Sequence, residues 1–370
     1  MWAAVLGVVL QDRAIADTPD AVGTYAAIAV VGAIVAALVQ LAAGFASDRL
    51  RARTGDRRLF YAAGVALAVP ALIALPGVTS LPWLWAAALV LQVGMNLAAG
   101  PYQAVVSDYV DADHVGRASS WMSSFQFCGS VAGLVLTTLL HGVALGGALA
   151  ACLVGGWALT DWQARRSTPV ARTATPLRLD RNARTVIAAR AAINVGFYTL
   201  FGFLLFFVRD SLGVVNPTTT TGILFLVFTI AGVGGAALAG RPADRFDKRL
   251  VVTIAGAAIV VAIGAFALAL TVPVALACAL VAGLAWGAYF TADWALAYAV
   301  LPRGALAAAM GVWNLAAALP QIIAPAITAP LVLALSAHQR GLGPRAALAC
   351  VIVEFASGTT WLWRLPRIAA

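Results

Sequence analysis

Charged and amide side chains are scarce in the apolar stretches of this chain, and the few present are the ones that could do chemistry. Asp293 stands in the 272–300 run. It lies about nine residues from the end of that run, roughly 13 Å deep at 1.5 Å per helical residue. An isolated ionised carboxylate at such a position costs about 2.5–3.5 kcal/mol on insertion scales. The sequence therefore predicts a cation beside it, or protonation for part of the time. Arg190, in the 185–208 run, is the long-reach partner. A titrating carboxylate is what proton coupling needs. A static Asp293–Arg190 pair that fixes helix packing is the other reading. Glu354 is a second acid placed mid-run.

Other polar residues recur at helical spacing. Asn96 and Gln103 lie seven apart, as do Asn314 and Gln321. Arg190, Asn194 and Tyr198 are four apart each time, and Ser123, Gln126 and Ser130 share a stripe. Polar groups within apolar runs turn toward protein or a cavity. Amides supply donor and acceptor pairs and aromatic rings stack on C–H faces. Asn96, Tyr102, Gln103, Gln126, Asn194, Tyr198, Tyr289, Trp294, Asn314 and Gln321 are thus the candidates for contacting a hydroxylated solute. Interhelical hydrogen bonding uses the same residues and carries equal weight.

The elements that position these groups are read from the apolar runs and their punctuation. A spanning helix needs about 20 apolar residues, and such runs fall near 21–47, 59–78, 82–106, 117–140, 142–161, 185–208, 219–242, 250–270, 272–300, 304–335 and 343–363. Eleven full spans follow. Met1–Leu10 makes about half a span and reads as the outer part of a truncated first helix. The chain is 62% hydrophobic and 11% charged, against about 25% charged in soluble domains, so the bilayer must serve as part of its solvent. The net charge of +9 is a topology signal rather than a nucleic-acid footprint. Counting Met1–Leu10 as a helix, only Arg13, Arg209, Arg340 and Arg345 of the 24 basic residues fall outside. The rest fall in loops that positive-inside bias makes cytoplasmic, so a multi-pass protein of the cell membrane is expected.

The densest basic cluster is Gln40–Phe60, where Gly44, Asp48 and Arg49 are followed by Arg51, Arg53, Arg57 and Arg58. It reads as a loop abutting an apolar run. Gly240, Asp244 and Arg245 repeat its G-x-x-x-D-R spacing. Trp121 and Trp313 mark similar places in two other runs, and the polar stretch 161–184 lies between. The halves 1–160 and 185–370 therefore read as a duplicated pair joined by a linker at 161–184. Cys128, Cys152, Cys278 and Cys350 sit singly in apolar runs and read as small apolar residues, not disulfides or metal ligands. No H-E-x-x-H, P-loop or strand-to-helix G-x-S-x-G occurs, so enzymatic activity, a cofactor and ATP-driven work by this chain are not expected.

The residues quoted resemble the major facilitator superfamily. The Gly44–Arg58 stretch is similar to that family's signature loop, departing from the glycoside-transporter form where Asp56 follows Gly55. Gly100, Pro101, Tyr102, Gln103, then Ser107 and Asp108, then Gly116 and Arg117, are similar to a pattern of many bacterial members. Asp293 and Trp294, Leu301 and Pro302, Gly311 to Asn314, and Leu319 to Pro325 resemble its sugar-transporter-like branch. The resemblance implies two parallel six-helix bundles related by a pseudo-two-fold, with the first helix truncated, working by alternating access. It implies that Gly44, Asp48, Arg49, Arg57 and Arg58, with Gly240, Asp244 and Arg245, form a cytoplasmic gate in which Asp48 meets the start of the 304–335 run, near Gly304. It favours proton- or sodium-driven uptake of a sugar or glycoside by a monomer. Efflux of amphipathic compounds and a transport-inactive scaffold or sensor are the alternatives. Pro320, Pro325 and Pro330 are expected to kink their helix.

Overall fold

The computed structural model describes residues 21–167, 175–339 and 341–367, so the Met1–Leu10 stub and part of the predicted linker lie outside the described residues. In hydrocarbon the backbone N–H and C=O groups have no water to bond, so each apolar run closes its hydrogen bonds internally as a helix. The helices are α1 (Ala21–Thr54), α2 (Arg58–Ala74), α3 (Leu81–Tyr109), α4 (Val115–Leu139), α5 (Gly142–Arg166), α6 (Arg181–Asp210), α7 (Pro217–Arg245), α8 (Lys248–Ala267), α9 (Val272–Val300), α10 (Leu306–Ala318), α11 (Pro320–His338) and α12 (Leu342–Trp361). Among the described residues there is no strand, and eleven spans are long and apolar enough to cross a membrane.

Two expectations are corrected at the helix ends. The Gln40–Phe60 stretch is not a loop. α1 carries its helix through Asp48, Arg49, Arg51 and Arg53 to Thr54, and only Gly55–Arg57 are non-helical. Gly55 makes the turn with φ +75°, a conformation that costs a side-chain-bearing residue. The predicted linker at 161–184 is likewise helical at both ends, because α5 runs to Arg166 and α6 opens at Arg181. Counting apolar residues stops at the first charge, whereas helical bonding does not. Basic side chains in a last turn also suit the negative end of the helix dipole. Asp180 fixes the start of α6 by accepting from the Ala183 N–H at 2.7 Å.

The 304–335 run is one span, Arg303–His338, but not one unbroken helix. Pro320 has no N–H to donate, so α10 ends at Ala318 and α11 begins at Pro320. Leu319 between them keeps helical dihedrals (φ −61°, ψ −41°). Pro325 and Pro330 are carried inside α11.

The contacts divide the chain into two compact units. One is built from α1, α2, α3, residues 129–139 of α4, α5 and residues 301–314. In it α2 packs on α3 and α5, and α1 packs on α3, around Ala68, Leu72, Leu84, Leu91, Leu145 and Leu149. The other is built from residues 111–128 of α4, α6, α7, α8, α9, residues 315–318, α11 and α12. There α9 packs on α7 and α8, and α12 packs on α6, α8 and α11. Its core includes Ile193, Phe228, Ile259, Phe266, Trp286, Tyr289 and Phe355.

Candidate functional site

In the first unit the repeated motif ends in a closed contact. Asp48, on the last turns of α1, accepts from the Ala307 N–H at 3.2 Å and the Ala308 N–H at 3.0 Å. These amides belong to the first turn of α10, where backbone donors have no partner within the helix and the dipole is positive. Gly44 makes the approach possible, since a Cβ there would stand 2.5 Å from the Ala307 carbonyl oxygen. Arg57 donates to Asp48 at 3.0 Å, to Ser47 at 3.1 Å and to Asp108 at 2.7 Å, and Arg51 pairs with Asp108 at 3.1 Å. All four charged residues are buried. Two carboxylates and two guanidiniums make a neutral quartet, which is the condition for keeping charges out of water.

In the second unit the other copy makes the same kind of contact. Asp244, near the end of α7, accepts from the Gly116 N–H at 2.6 Å and the Arg117 N–H at 3.2 Å, in the first turn of α4. The Arg117 Nε adds a bond at 3.1 Å. Gly240 lies against α4, where a Cβ would stand 2.7 Å from that of Ser120. The Ser120 hydroxyl donates to the Ala236 carbonyl at 2.7 Å. This copy is wetter: the Arg117 side chain is 53% exposed.

Three residues assigned to the gate stand elsewhere. Arg49 and Arg245 are exposed. Successive residues on a helix point about 100° apart, since there are 3.6 per turn, so an Asp turned inward carries the next Arg away. The cations that join are Arg57 and Arg51 for the first copy and Arg117 for the second. Arg58 pairs with Asp56, and with Asp161 at 3.7 Å, beside the quartet and not in it. Asp108, Arg51, Gly116 and Arg117 were not among the predicted gate residues. The legible signal was that Asp108 and Arg117 sit in the two short motifs that follow the basic cluster.

The candidate solute contacts fall in both units. In the first, Asn314 donates to Gln103 at 2.6 Å, joining α10 to α3. Asn96 bonds back to Gln92 on its own helix at 2.8 Å and 3.2 Å, and Tyr102 is exposed. In the second, Arg190 and Asp293 form a buried ion pair between α6 and α9. Asn194 donates to the Arg190 carbonyl at 2.9 Å, and Gln321 donates to the Tyr198 hydroxyl at 2.9 Å. Tyr289 and Trp294 are buried, and Gln126 is exposed on α4. Glu354 is half-buried in α12.

An aromatic ladder runs beside the ion pair, and periodicity had hidden it within apolar runs. Phe197 stacks on Trp286 at 4.4 Å between ring centroids, and Trp286 stacks on Tyr289 at 5.1 Å. Phe290 meets Trp294 edge-on at 6.3 Å, and Trp294 stacks on Tyr298 at 5.9 Å. Trp121 and Trp313, read as equivalent markers, have opposite surroundings: Trp121 is 67% exposed and Trp313 fully buried.

Comparison with known proteins bears on this arrangement. No curated protein matches the chain. Among solved structures it is similar to a bacterial homologue of the iron transporter ferroportin in an outward-facing state, with TM-score 0.73 and 17% identity over 98% of each chain. It is similar to the human organic anion transporter MFSD10, with TM-score 0.67 and 13% identity over 97% of this chain and 94% of that one. The proton:xylose symporter XylE gives TM-score 0.62 and 14% identity over 98% and 94%. At such identities the likeness is one of fold. The sequence profile described as Major Facilitator Superfamily matches residues 3–325. With its eleven apolar spans and its twice-used Gly–Asp helix-end contact, this chain belongs to the Major Facilitator Superfamily.

Proposed function

We propose that the chain is a secondary active transporter of the cell membrane. It moves a small solute by alternating access, with ion-coupled uptake of a sugar or glycoside as the best-supported reading. The observation that carries this is the buried Arg190–Asp293 pair. It lies within spanning helices among Asn194, Tyr289 and Trp294, groups suited to a hydroxylated solute. A carboxylate held by a single cation in a dry site can take a proton when that cation turns to a substrate, which links solute and proton. The chain works as a monomer of two six-helix halves, 1–160 and 185–370, with its basic ends in the cytoplasm. The Asp48 and Asp244 contacts are the gate on that side, made in one state and released in the other. Sodium in place of the proton is an outcome of the same test.

A second reading has its own observation. The ladder from Phe197 to Tyr298, largely buried beside the ion pair, gives the interior of this unit an aromatic character that suits an amphipathic compound leaving the cell once the helices part. The solved relatives share the fold across different substrates and do not choose between the readings. Flux into proteoliposomes from a panel of sugars and of amphipathic dyes, with and without imposed proton or sodium gradients, separates them. Gradient-driven sugar accumulation supports the first reading and dye export the second. A folded protein that moves neither supports a scaffold.

A further inference from the structure

We propose that a groove between α4 and α7 binds the phosphate of an anionic phospholipid. The groove lies entirely within the second compact unit. Its polar lining is cationic and hydroxylic: Arg117, Ser120 and Ser124 from α4 and Arg241 from α7, with no carboxylate among its lining residues, and the Ser120 hydroxyl is spent on the Ala236 carbonyl. Arg241 is exposed and pairs with no acid among the described residues. Arg117 gives its Nε to Asp244, and with half its side chain exposed its terminal amino groups stay available. Two guanidiniums across a groove match the oxygens of a phosphodiester, which they can grip in bidentate fashion.

The apolar part of the groove argues for a lipid rather than a free anion. Trp121 is 67% exposed and stacks on Phe125 at 5.9 Å, and Leu238 is 73% exposed. An exposed Trp within a turn of an Arg, near the end of a spanning helix, is how proteins mark the headgroup level of a bilayer. Basic pockets between spanning helices at that level suit anionic headgroups. An adjoining cavity shares Arg117 and Arg241 and is lined also by Arg245, Asp113 and Asp244. Asp244 is already held by the Gly116 and Arg117 amides, so the arginines remain in excess.

The site is tied to the second Asp244 contact through Arg117. A phosphate drawing on Arg117 competes for the group that Asp244 also uses, so lipid occupancy changes the strength of that contact. This goes beyond the transport reading and survives its failure, because lipid binding is measured without flux.

The test is native mass spectrometry of the full chain in detergent, titrated with phosphatidylglycerol or phosphatidylcholine. The expected result is about tenfold tighter retention of phosphatidylglycerol, with Arg241→Gln removing that preference and Arg241→Lys keeping most of it, as for one charge-assisted contact. Arg303→Gln, an exposed change in the other unit, leaves retention unaltered. Brominated phosphatidylglycerol quenches fluorescence in the wild type and less in Trp121→Phe. Equal retention of the two lipids overturns the proposal, as does undiminished phosphatidylglycerol binding in a folded Arg241→Gln protein. Displacement by equimolar inorganic phosphate overturns the lipid assignment in favour of a free-anion site.

Discussion

The Asp48 contact sets how far the closed form outweighs the open one, and Asp48→Asn should shift that balance. In Asp48→Asn one acceptor oxygen remains where two stood, and its charge is gone. The wild-type carboxylate takes two backbone N–H groups, at 3.2 and 3.0 Å, and one guanidinium. Hydrogen bonds to a charged group contribute about 1.5–3 kcal/mol each and neutral ones about 0.5–1.5. Replacing two of the first kind by one of the second, while Arg57 keeps Asp108 at 2.7 Å, weakens the contact by about 1.5–5.5 kcal/mol. That is a factor of at least about 13 in the ratio of closed to open forms, so a 99:1 population moves to about 8:1 or further toward the open form. Spin labels at Arg49→Cys and Arg303→Cys, both exposed and outside the quartet, report the α1-to-α10 separation by pulsed dipolar spectroscopy. The background replaces Cys128, Cys152, Cys278 and Cys350 by Ser. The wild type should show a dominant short distance, and Asp48→Asn a second, longer population. An unchanged distribution in a protein that melts like the wild type would refute the reasoning.

Other consequences follow from the same geometry. Gly44→Ala sets a Cβ 2.5 Å from backbone at Ala307 and should lengthen the same label distance. Gly55→Ala, strained by its φ of +75° but in open space, should cost about 1–2 kcal/mol of stability and leave the distance alone. Removing either partner of Arg190–Asp293 strands a buried charge, so Arg190→Gln and Asp293→Asn should each lose about 3–5 kcal/mol in detergent melts, with the double variant losing less than their sum. Strictly additive losses would contradict the pair. Salt should weaken the half-exposed Arg117–Asp244 contact more than the buried quartet. Label distances across each contact at low and high salt check this, and equal responses would count against the difference in burial.

Much of the fold was legible because the bilayer imposes one rule: apolar length becomes helix. Eleven runs gave eleven spans. The repeat of Gly44 and Asp48 at Gly240 and Asp244 also marked the two helix-end contacts, since a glycine and an acid four residues apart on one face serve close approach and amide capture together. Arg49 was misplaced because a motif written as adjacent letters hides the 100° turn between them. Arg57, across the Gly55 bend, could reach back. Asp108 was hidden for another reason: its partners Arg51, on α1, and Arg57, in the turn after it, lie far from it in sequence, and only packing brings them together. The aromatic ladder was silent because Phe197 and Trp286 look like any other apolar residues until two helices align them. Trp121 and Trp313 show the converse, the same residue type at similar places, one exposed and one buried.

If the Arg190–Asp293 pair couples a solute to an ion, gradient-driven flux depends on Asp293. Wild type and Asp293→Asn are reconstituted in proteoliposomes and offered a sugar that the wild type moves, with and without an inward proton gradient. The wild type should accumulate the sugar only with the gradient, and Asp293→Asn should exchange it downhill without accumulating it. Accumulation by Asp293→Asn that still follows the proton gradient would contradict it.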